Sequence, residues 1–257
     1  MQILALQTDI DWEDPAANRE KVRRLLDAAP PKPGALVVLP EMFATGFTMD
    51  PAKTAEPAGG ETELFLSGLA KKRKACVLAG LPTRAKGGKF HNEAVAFAPD
   101  GGVLARYAKL HPFTPAGESD AYAAGKKSAT FAWGGFTVAP LICYDLRFPE
   151  AFRVSVRSGA TLFPVIASWP GTRIAHWTAL LRARAIENQA VVVGVNRCGA
   201  DPKADYPGKS AIFGPDGALL AEAGETEGIL AAEAEPTVVA AYRKVLPFLK
   251  DLRDDGL

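Results

Sequence analysis

A run of five apolar residues, Ala35-Leu36-Val37-Val38-Leu39, limits the fold of this 257-residue chain more than any other segment. A strand with one face in solvent alternates apolar and polar residues, whereas a strand without polar positions belongs to a sheet that is covered on both faces. A second strong strand, rich in valine, is predicted over residues 190–196. The sequence therefore predicts buried sheets with helices packed outside them.

The remaining periodicity predicts an α/β chain with mixed sheets. Helices are predicted over residues 15–29, 61–74, 149–157 and 172–189, and strands over 2–10, 35–39, 76–82, 93–98, 103–108, 136–142, 161–166, 190–196, 209–213, 218–222 and 228–234. Two of the predicted hairpins turn at a Pro-Asp-Gly sequence, at 99–101 and 215–217, which suggests that the two halves are built alike. No shift in composition marks a boundary, so residues 1–257 are predicted to form a single domain, with a helical and then polar tail from about residue 236.

Charge and cysteine content exclude several classes of function. The formal net charge is +1 and there is no basic block of domain size, which removes the electrostatic reason to expect nucleic-acid binding. The basic run at 71–74 is interpreted as the solvated last turn of a helix. Three scattered cysteines without a CxxC pair argue against a disulfide framework or a zinc knuckle and favour a reducing compartment. With no signal-peptide pattern at the N-terminus and no apolar run of membrane length, the protein is predicted to be cytoplasmic and to have no membrane partner.

Cys143 lies where the apolar strand 136–142 ends, and Pro149-Glu150 a few residues later has the pattern of a helix first turn. A helix N-terminus and nearby cations lower the pKa of a thiol, so this position predicts a reactive thiolate. The alternative is a small buried side chain without chemistry. Cys76 lies inside an apolar strand and is interpreted as structural, and nothing in the sequence around Cys198 suggests activation.

Two further strand ends carry charged side chains, Glu41 and Lys109. Taken alone, the glutamate is either solvated or a base, and the lysine is an ordinary edge residue. Together with Cys143 they supply what amide hydrolysis by a thiol requires. The carboxylate takes and returns protons, the cation stabilises the oxyanion, and the thiol forms an acyl intermediate.

A Cys–His dyad, a metal site and a phosphate-binding loop are the alternatives to this triad. His111 lies two residues after Lys109, so a Cys–His dyad is an alternative, although a role in anchoring the loop is preferred. No HExxH spacing indicates a metal site, and the Gly208-Lys209-Ser210 segment lacks the first glycine of a phosphate loop. The long loop 110–127 is predicted to be functional because of its length. Arg173, at the start of a helix, is interpreted either as a carboxylate clamp or as a surface residue.

Three segments, in this order, resemble the motifs of the nitrilase superfamily, the carbon–nitrogen hydrolases with a Glu-Lys-Cys triad. They are 39–43 (LPEMF), 107–111 (YAKLH) and 142–150 (ICYDLRFPE), and the one departure is Pro112, where many members have an aliphatic residue. The resemblance covers nearly the whole chain. It implies a four-layer α-β-β-α sandwich, a homodimer formed through helices near the cysteine and the C-terminal region, and no metal or organic cofactor.

Within the superfamily the chain is most similar to the omega-amidase branch, on the segments 43–47 (FATGF), 167–170 (ASWP), 182–189 (RARAIENQ), 195–197 (VNR) and 206–210 (YPGKS). This similarity implies a small-molecule substrate, 2-oxoglutaramate or 2-oxosuccinamate, hydrolysed through a thioester. Other branches remain alternatives: an N-carbamoyl amide hydrolase, a deaminated-glutathione amidase or a nitrilase. A binding protein that kept the fold without catalysis is the alternative of a different class.

The same resemblance gives each candidate residue an expected role. Glu41 is expected to act as the acid and base, Lys109 and the backbone N–H of Tyr144 to stabilise the oxyanion, and Cys143 to attack. Glu118 is the best match to a second, supporting glutamate of the family. In the pocket, Arg173 is expected to hold the distal carboxylate of the substrate, and Phe43 and Trp169 to form the walls.

Overall fold

Two seven-stranded mixed sheets form the centre of the molecule in the computed structural model, which describes residues 1–85 and 87–253. The first sheet contains β1 Gln2–Gln7, β2 Leu36–Val38, β3 Glu56–Pro57, β4 Cys76–Arg84, β5 Phe90–Phe97, β6 Val103–Ala108 and β16 Gly228–Glu233. The second contains β7 Phe131–Trp133, β8 Phe136–Val138, β9 Leu141–Ile142, β10 Leu162–Ala167, β11 Val191–Asn196, β14 Ala211–Phe213 and β15 Leu219–Glu222. The strands β12 Cys198–Ala200 and β13 Asp205–Pro207 form a separate two-stranded sheet, and Cys198 also forms an isolated parallel bridge with Asp9.

The helices are α1 Pro15–Ala28, α2 Pro51–Thr54, α3 Glu61–Arg73, α4 Glu118–Ala121, α5 Pro149–Arg157, α6 Ile174–Asn188 and α7 Pro236–Val245, with 3-10 turns at Thr114–Ala116, Cys143–Arg147, Gly171–Arg173 and Phe248–Asp251. Local sequence explains their ends. The Asp14 side chain accepts the Ala17 N–H at 3.0 Å and so caps α1, whose first residue is Pro15. The helix α3 ends in the basic run, as predicted, where positive charge complements the helix dipole.

Alternating residues of the central strands face two different cores, which explains why the strand 35–39 has no polar positions. In β2, Leu36 and Val38 belong to the core shared with the second sheet. Val37 and the following Leu39 belong to a separate core that includes residues of α1 and α3. On the other side, Trp177 and Leu181 of α6 lie against Gly194 of β11. The order of layers is therefore helix, sheet, sheet, helix, and the predicted four-layer sandwich is confirmed.

The two sheets repeat one topology. The orders β1-β2-β4-β5-β6 and β8-β10-β11-β14-β15 both contain three parallel strands followed by two antiparallel ones. In the first half α1 and α3 connect the parallel strands, and in the second half α5 and α6 do so. The two halves are built alike, as the matching Pro-Asp-Gly turns suggested.

Two predictions of local structure were wrong. The strand predicted over 136–142 is divided into β8 and β9, because Pro140 has no N–H to donate to the sheet. Both pieces pair with β10, through Val138 with Leu162 and Leu141 with Val165. The loop 110–127 contains a 3-10 turn and the short helix α4.

The helical start of the C-terminal tail is confirmed by α7, whereas residues 254–257, at its predicted polar end, lie outside the described residues. Within the described ranges, no helix has the length and apolar character needed to cross a membrane.

Candidate active site

Glu41 is held in a turn directly after β2 and its side chain is fully buried. The turn lies against β4: the Gly80 N–H donates to Pro40 O at 3.1 Å, and a Cβ at Gly80 would lie 2.5 Å from the Cα of Glu41. Only glycine allows the two backbones to approach this closely. Met42 takes a left-handed backbone conformation with φ of 44°, which completes the turn. A glycine inside a predicted strand, here Gly80 in the strand 76–82, is a sequence feature that can indicate such a contact.

Cys143 also has a left-handed backbone, with φ of 46°, at the point where β9 becomes a 3-10 turn. Such a conformation is unfavourable for a residue with a side chain and persists only where its surroundings hold it. The Asp145 carboxylate provides that hold, because its Oδ2 accepts the N–H of Ile142 at 3.0 Å. The predicted position of the thiol, at a sharp turn between a strand and a helix, is confirmed.

Lys109 joins the two glutamates in a buried ion cluster. Its Nζ lies 2.8 Å from Oε1 of Glu41 and 2.8 Å from Oε2 of Glu118, and all three side chains are at most 1% exposed. Burial alone would lower the pKa of Lys109, but the charges of Glu41 and Glu118 raise it above its ordinary value. The lysine is therefore charged at neutral pH. The structure places Glu118, the best sequence match to a supporting glutamate, in this cluster.

Asn92, on β5, completes this cluster and was not identified from the sequence. Its side-chain amide donates to Glu41 Oε1 at 2.7 Å and to Glu118 Oε1 at 2.8 Å. The backbone N–H of Phe113 donates to Glu118 Oε2 at 2.6 Å. These donors and the Lys109 ammonium compensate the two buried carboxylates, which would otherwise be costly to bury.

The predicted low pKa of the Cys143 thiol is wrong. Burial, followed by the charge of Glu41, raises the pKa of Cys143 well above its ordinary value, and the opposing effect of Lys109 is smaller. The sequence argument counted a helix N-terminus and a cation but not the loss of water around the sulfur. The resting side chain is therefore a neutral thiol, which must lose its proton when it attacks. The backbone N–H of Ser168, a residue that lines the cavity together with Cys143, donates to Oε2 of Glu41 at 2.8 Å.

His111 is engaged away from the sulfur. Its Nδ1 and its backbone N–H contact Asp145 Oδ1 at 2.8 and 3.0 Å, and its ring stacks on Phe148 with centroids 3.8 Å apart. The preferred interpretation, a residue that anchors the loop, is thus confirmed over the Cys–His dyad.

A cavity of about 580 Å³ opens above Cys143. Half of its lining residues are aromatic or cationic, and Asp205 is the acidic one: the eight are Phe47, Phe113, Tyr144, Arg147, Trp169, Arg173, Lys203 and Tyr206. Of the predicted pocket residues, Tyr144, Arg173 and Trp169 are present. Phe43 is not: it is 1% exposed, packs in the core beneath α1 and α3, and stacks with Phe65. Residues of a turn point in different directions, and Phe47, four positions later, lines the cavity instead.

Arg147 is a second cation in this cavity that the sequence did not identify. Its guanidinium lies 4.8 Å from the ring centre of Trp169, and that of Arg173 lies 5.4 Å from the ring centre of Phe113. The indole N–H of Trp169 donates to Arg173 O at 2.8 Å and fixes both residues. Nη1 and Nη2 of Arg147 lie 3.3 Å from Nδ1 of His176, and Nη1 of Arg173 donates to the Thr172 hydroxyl at 3.4 Å. The other nitrogens of Arg173 can bind a carboxylate.

The described residues contain no group of three histidine, cysteine or acidic side chains that could hold a metal ion. Cys76, Cys143 and Cys198 are all free and buried. Burial raises the pKa of Cys76 strongly, and it raises that of Cys198 to about 11. Neither of these two cysteines lines the cavity.

The repeated four-layer fold and the acid, lysine and thiol at its strand ends define a hydrolase class. A model of the carbon–nitrogen hydrolase family matches residues 3–244, and the chain belongs to this family. It is 34% identical over 254 residues to a 2-oxoglutaramate amidase of Bacillus subtilis (strain 168), covering 98% of each chain. It is 36% identical over 255 residues to the omega-amidase YafV of Yersinia enterocolitica, covering 98% of this chain and 96% of that relative.

Among solved structures, XC1258 from Xanthomonas campestris has a TM-score of 0.94 and 32% identity, covering 100% of this chain and 98% of that one. It is described as a CN-hydrolase superfamily protein with an arsenic adduct in its active site. The resemblance found in the sequence motifs is confirmed, and the chain is an amidase-type hydrolase.

Proposed function

We propose that this protein hydrolyses the terminal amide of a small dicarboxylic acid monoamide, such as 2-oxoglutaramate or 2-oxosuccinamate, through a thioester on Cys143. The observation that carries the proposal is the buried cluster in which Lys109 contacts Glu41 and Glu118, each at 2.8 Å, beside a thiol that lines the cavity. The names of the relatives that act on such amides support the choice of substrate.

In the first half of the reaction the sulfur of Cys143 attacks the amide carbon and its proton passes to Glu41. The carbonyl oxygen becomes an oxyanion that Lys109 and the backbone N–H of Tyr144 stabilise, each such donor being worth about 3 kcal/mol. When the carbon–nitrogen bond breaks, Glu41 returns the proton to the nitrogen, which leaves as ammonia. The acyl group remains on the sulfur as a thioester.

In the second half Glu41 takes a proton from water, and the resulting hydroxide attacks the thioester carbon. The carbon–sulfur bond breaks, the sulfur regains a proton from Glu41, and the carboxylic acid product is released. Glu118 supports both halves by holding Lys109 in place rather than by contacting the substrate. One carboxylate thus acts alternately as base and acid, which a buried position with fixed hydrogen bonds favours.

The cavity suits an acidic substrate. Arg173 and Arg147 supply positive charge on one side, and Trp169 and Phe47 supply apolar walls. We assign Arg173 to the distal carboxylate of the substrate, since its guanidinium can accept that group with two parallel hydrogen bonds.

One observation favours a second candidate. A cavity of about 580 Å³ is larger than a five-carbon acid amide needs, so a longer amide such as deaminated glutathione fits as an alternative substrate. The catalytic steps are the same for both, because the cluster below the cavity does not depend on the length of the acid.

The test is ammonia release from a panel containing omega-amides, deaminated glutathione, N-carbamoyl amino acids and nitriles, with wild type and Cys143→Ala in parallel. We expect turnover of the omega-amides that the alanine variant abolishes. Strong activity on a nitrile with none on omega-amides would overturn the choice of substrate. A protein that hydrolyses no member of the panel would be better explained as a binding protein.

The proposal includes a homodimer formed through α5, α6 and the C-terminal region. Six large apolar side chains of that region are exposed in the single chain: Val154, Ile186, Val238, Val245, Leu246 and Phe248. Light scattering after size exclusion tests this, with a mass of twice 27.2 kDa as the expected result. We also propose a cytoplasmic location, in which the three free thiols stay reduced.

A further inference from the structure

Asn92 occupies an unusual position between the two glutamates of the cluster. It is 1% exposed, and both of its hydrogen bonds through Nδ2 end on carboxylates, at 2.7 Å on Glu41 and 2.8 Å on Glu118. Lys109 contacts the same two carboxylates, so the four side chains form a closed ring. The amide is the uncharged member of that ring.

The orientation of this amide is determined by chemistry. A flipped Asn92 would place its carbonyl oxygen against two carboxylates, which only accept hydrogen bonds. In the observed orientation Oδ1 is buried without any hydrogen-bond partner. A buried unsatisfied oxygen is unfavourable, so a requirement for both N–H groups on the carboxylates explains why it is tolerated.

This arrangement distinguishes the two oxygens of Glu41. Oε1 accepts from both Asn92 and Lys109, whereas Oε2 accepts only the backbone N–H of Ser168 among the described contacts. Ser168 and Cys143 both line the cavity, whereas Asn92 and Lys109 do not, so Oε2 is the oxygen on the cavity side of the carboxylate. Oε1 has no remaining role as a proton acceptor.

We propose that Asn92 is a positioning residue that fixes Glu41 so that Oε2 carries the proton in every transfer of the reaction. The thiol proton goes to Oε2 and leaves with ammonia; the water proton then goes to Oε2 and returns to the sulfur. The inference rests on the proposed function and adds a residue to its machinery.

Asn188 provides a matched control for a purely structural role. It is fully buried at the end of α6, its Nδ2 donates to Arg184 O at 2.9 Å, and its Oδ1 also has no partner. It does not line the cavity. Removing this amide is expected to lower the stability of the fold without changing any side chain of the cluster.

The experiment compares Asn92→Ala and Asn188→Ala by kcat and KM for the best amide of the panel, with Tm measured for each. Without the two N–H donors the Glu41 carboxylate is free to turn, so the loss in Asn92→Ala is expected in kcat, with KM close to the wild-type value. The kcat is expected to fall at least 100-fold. Asn92→Asp keeps the shape but supplies at most one donor, so it covers the case in which the alanine variant does not fold, with the same expected loss.

The proposal is overturned if Asn92→Ala keeps the wild-type kcat or loses kcat only in proportion to its fall in Tm, as Asn188→Ala is expected to do. A readout that does not need turnover separates this from failure of the proposed function. In a nitrogen–proton correlation spectrum, the Asn92 side-chain N–H signals are expected downfield and protected from exchange, and Glu41→Gln is expected to shift them. Ordinary, unshifted signals would contradict the ring even if no amide is hydrolysed.

Discussion

The phenol of Tyr107 donates to Oδ2 of Asp145 over 2.7 Å, and this bond joins the strand that leads to Lys109 to the turn that carries Cys143. Both side chains are at most 1% exposed. Burial and the neighbouring Asp145 charge raise the pKa of Tyr107 well above its ordinary value, so the phenol keeps its proton at neutral pH. The cation and the nucleophile are thereby held in one rigid unit.

We predict that Asp145→Asn lowers both stability and kcat. The carboxylate accepts from Tyr107, from Ile142 and twice from His111, and an amide cannot accept on both of its sides. Each buried donor left unpaired costs about 1–3 kcal/mol. Urea unfolding and steady-state kinetics measure the two effects.

Asp201→Asn is the control for this prediction. It changes a similar carboxylate, which accepts the Tyr206 hydroxyl at 2.7 Å, and it is expected to spare kcat. Equal losses of kcat in both variants would contradict the link to Cys143.

Glu41→Gln is predicted to separate alkylation of the thiol from hydrolysis. After burial, the Glu41 charge is the largest influence raising the pKa of Cys143, so its removal lowers that pKa and increases the thiolate fraction at pH 7. The pH profile for alkylation of Cys143 by iodoacetamide should therefore move to lower pH. Hydrolysis should fall by roughly 10²–10⁴-fold because the general base is lost. Glu118→Gln should move the alkylation profile in the same direction but less, and a shift to higher pH in Glu41→Gln would refute this account of the thiol.

Lys109→Met should destabilise the fold as well as abolish activity. It leaves Glu41 and Glu118 buried without a cation, and removing one partner from a buried pair costs about 3–5 kcal/mol. Chemical denaturation gives the free energy of unfolding. Lys53→Met, which removes an exposed partner of Glu13, is the matched control and should change it little. A similar change in the free energy of unfolding in the two lysine variants would show that the cluster does not contain the charges assigned to it.

Arg173→Ala is predicted to act on substrate binding alone. Loss of a charge-assisted hydrogen bond to the distal carboxylate should raise KM for an omega-amide by roughly 10- to 100-fold. Neutral primary amides lack that carboxylate, so their kinetics should stay near the wild-type values. Lys203→Ala, at another point of the cavity, serves as the comparison. If the arginine variant weakens neutral and acidic amides equally, Arg173 does not recognise the carboxylate.

The parts of the fold that depend on local periodicity were predictable from sequence. The helix predicted over 149–157 is α5 with the same bounds, and the apolar strand 35–39 is covered on both faces. The break at Pro140 was missed, although a proline inside a predicted strand is a sequence signal for such a break. The pairing of β12 with β13 was also not visible in the pattern of residues.

Within the site, sequence motifs identified the residues at strand ends but not those that hold them. Asn92 and Asp145 act through hydrogen bonds to side chains 26 to 51 positions away, a separation that no local pattern reveals. The family resemblance implied a pocket wall at Phe43, but the turn directs its side chain into the core. The pKa of Cys143 was misjudged for a related reason, since burial is a property of the folded chain.

The central claim, that Cys143 carries an acyl intermediate, is tested most directly by mass spectrometry of the intact protein. The protein is mixed with excess omega-amide and quenched in acid within the first turnover. We predict a species heavier by the mass of the acyl group, located on the peptide that contains Cys143, and absent from Cys143→Ala. Release of ammonia at the wild-type rate by Cys143→Ala, with no adduct at any quench time, would contradict the mechanism.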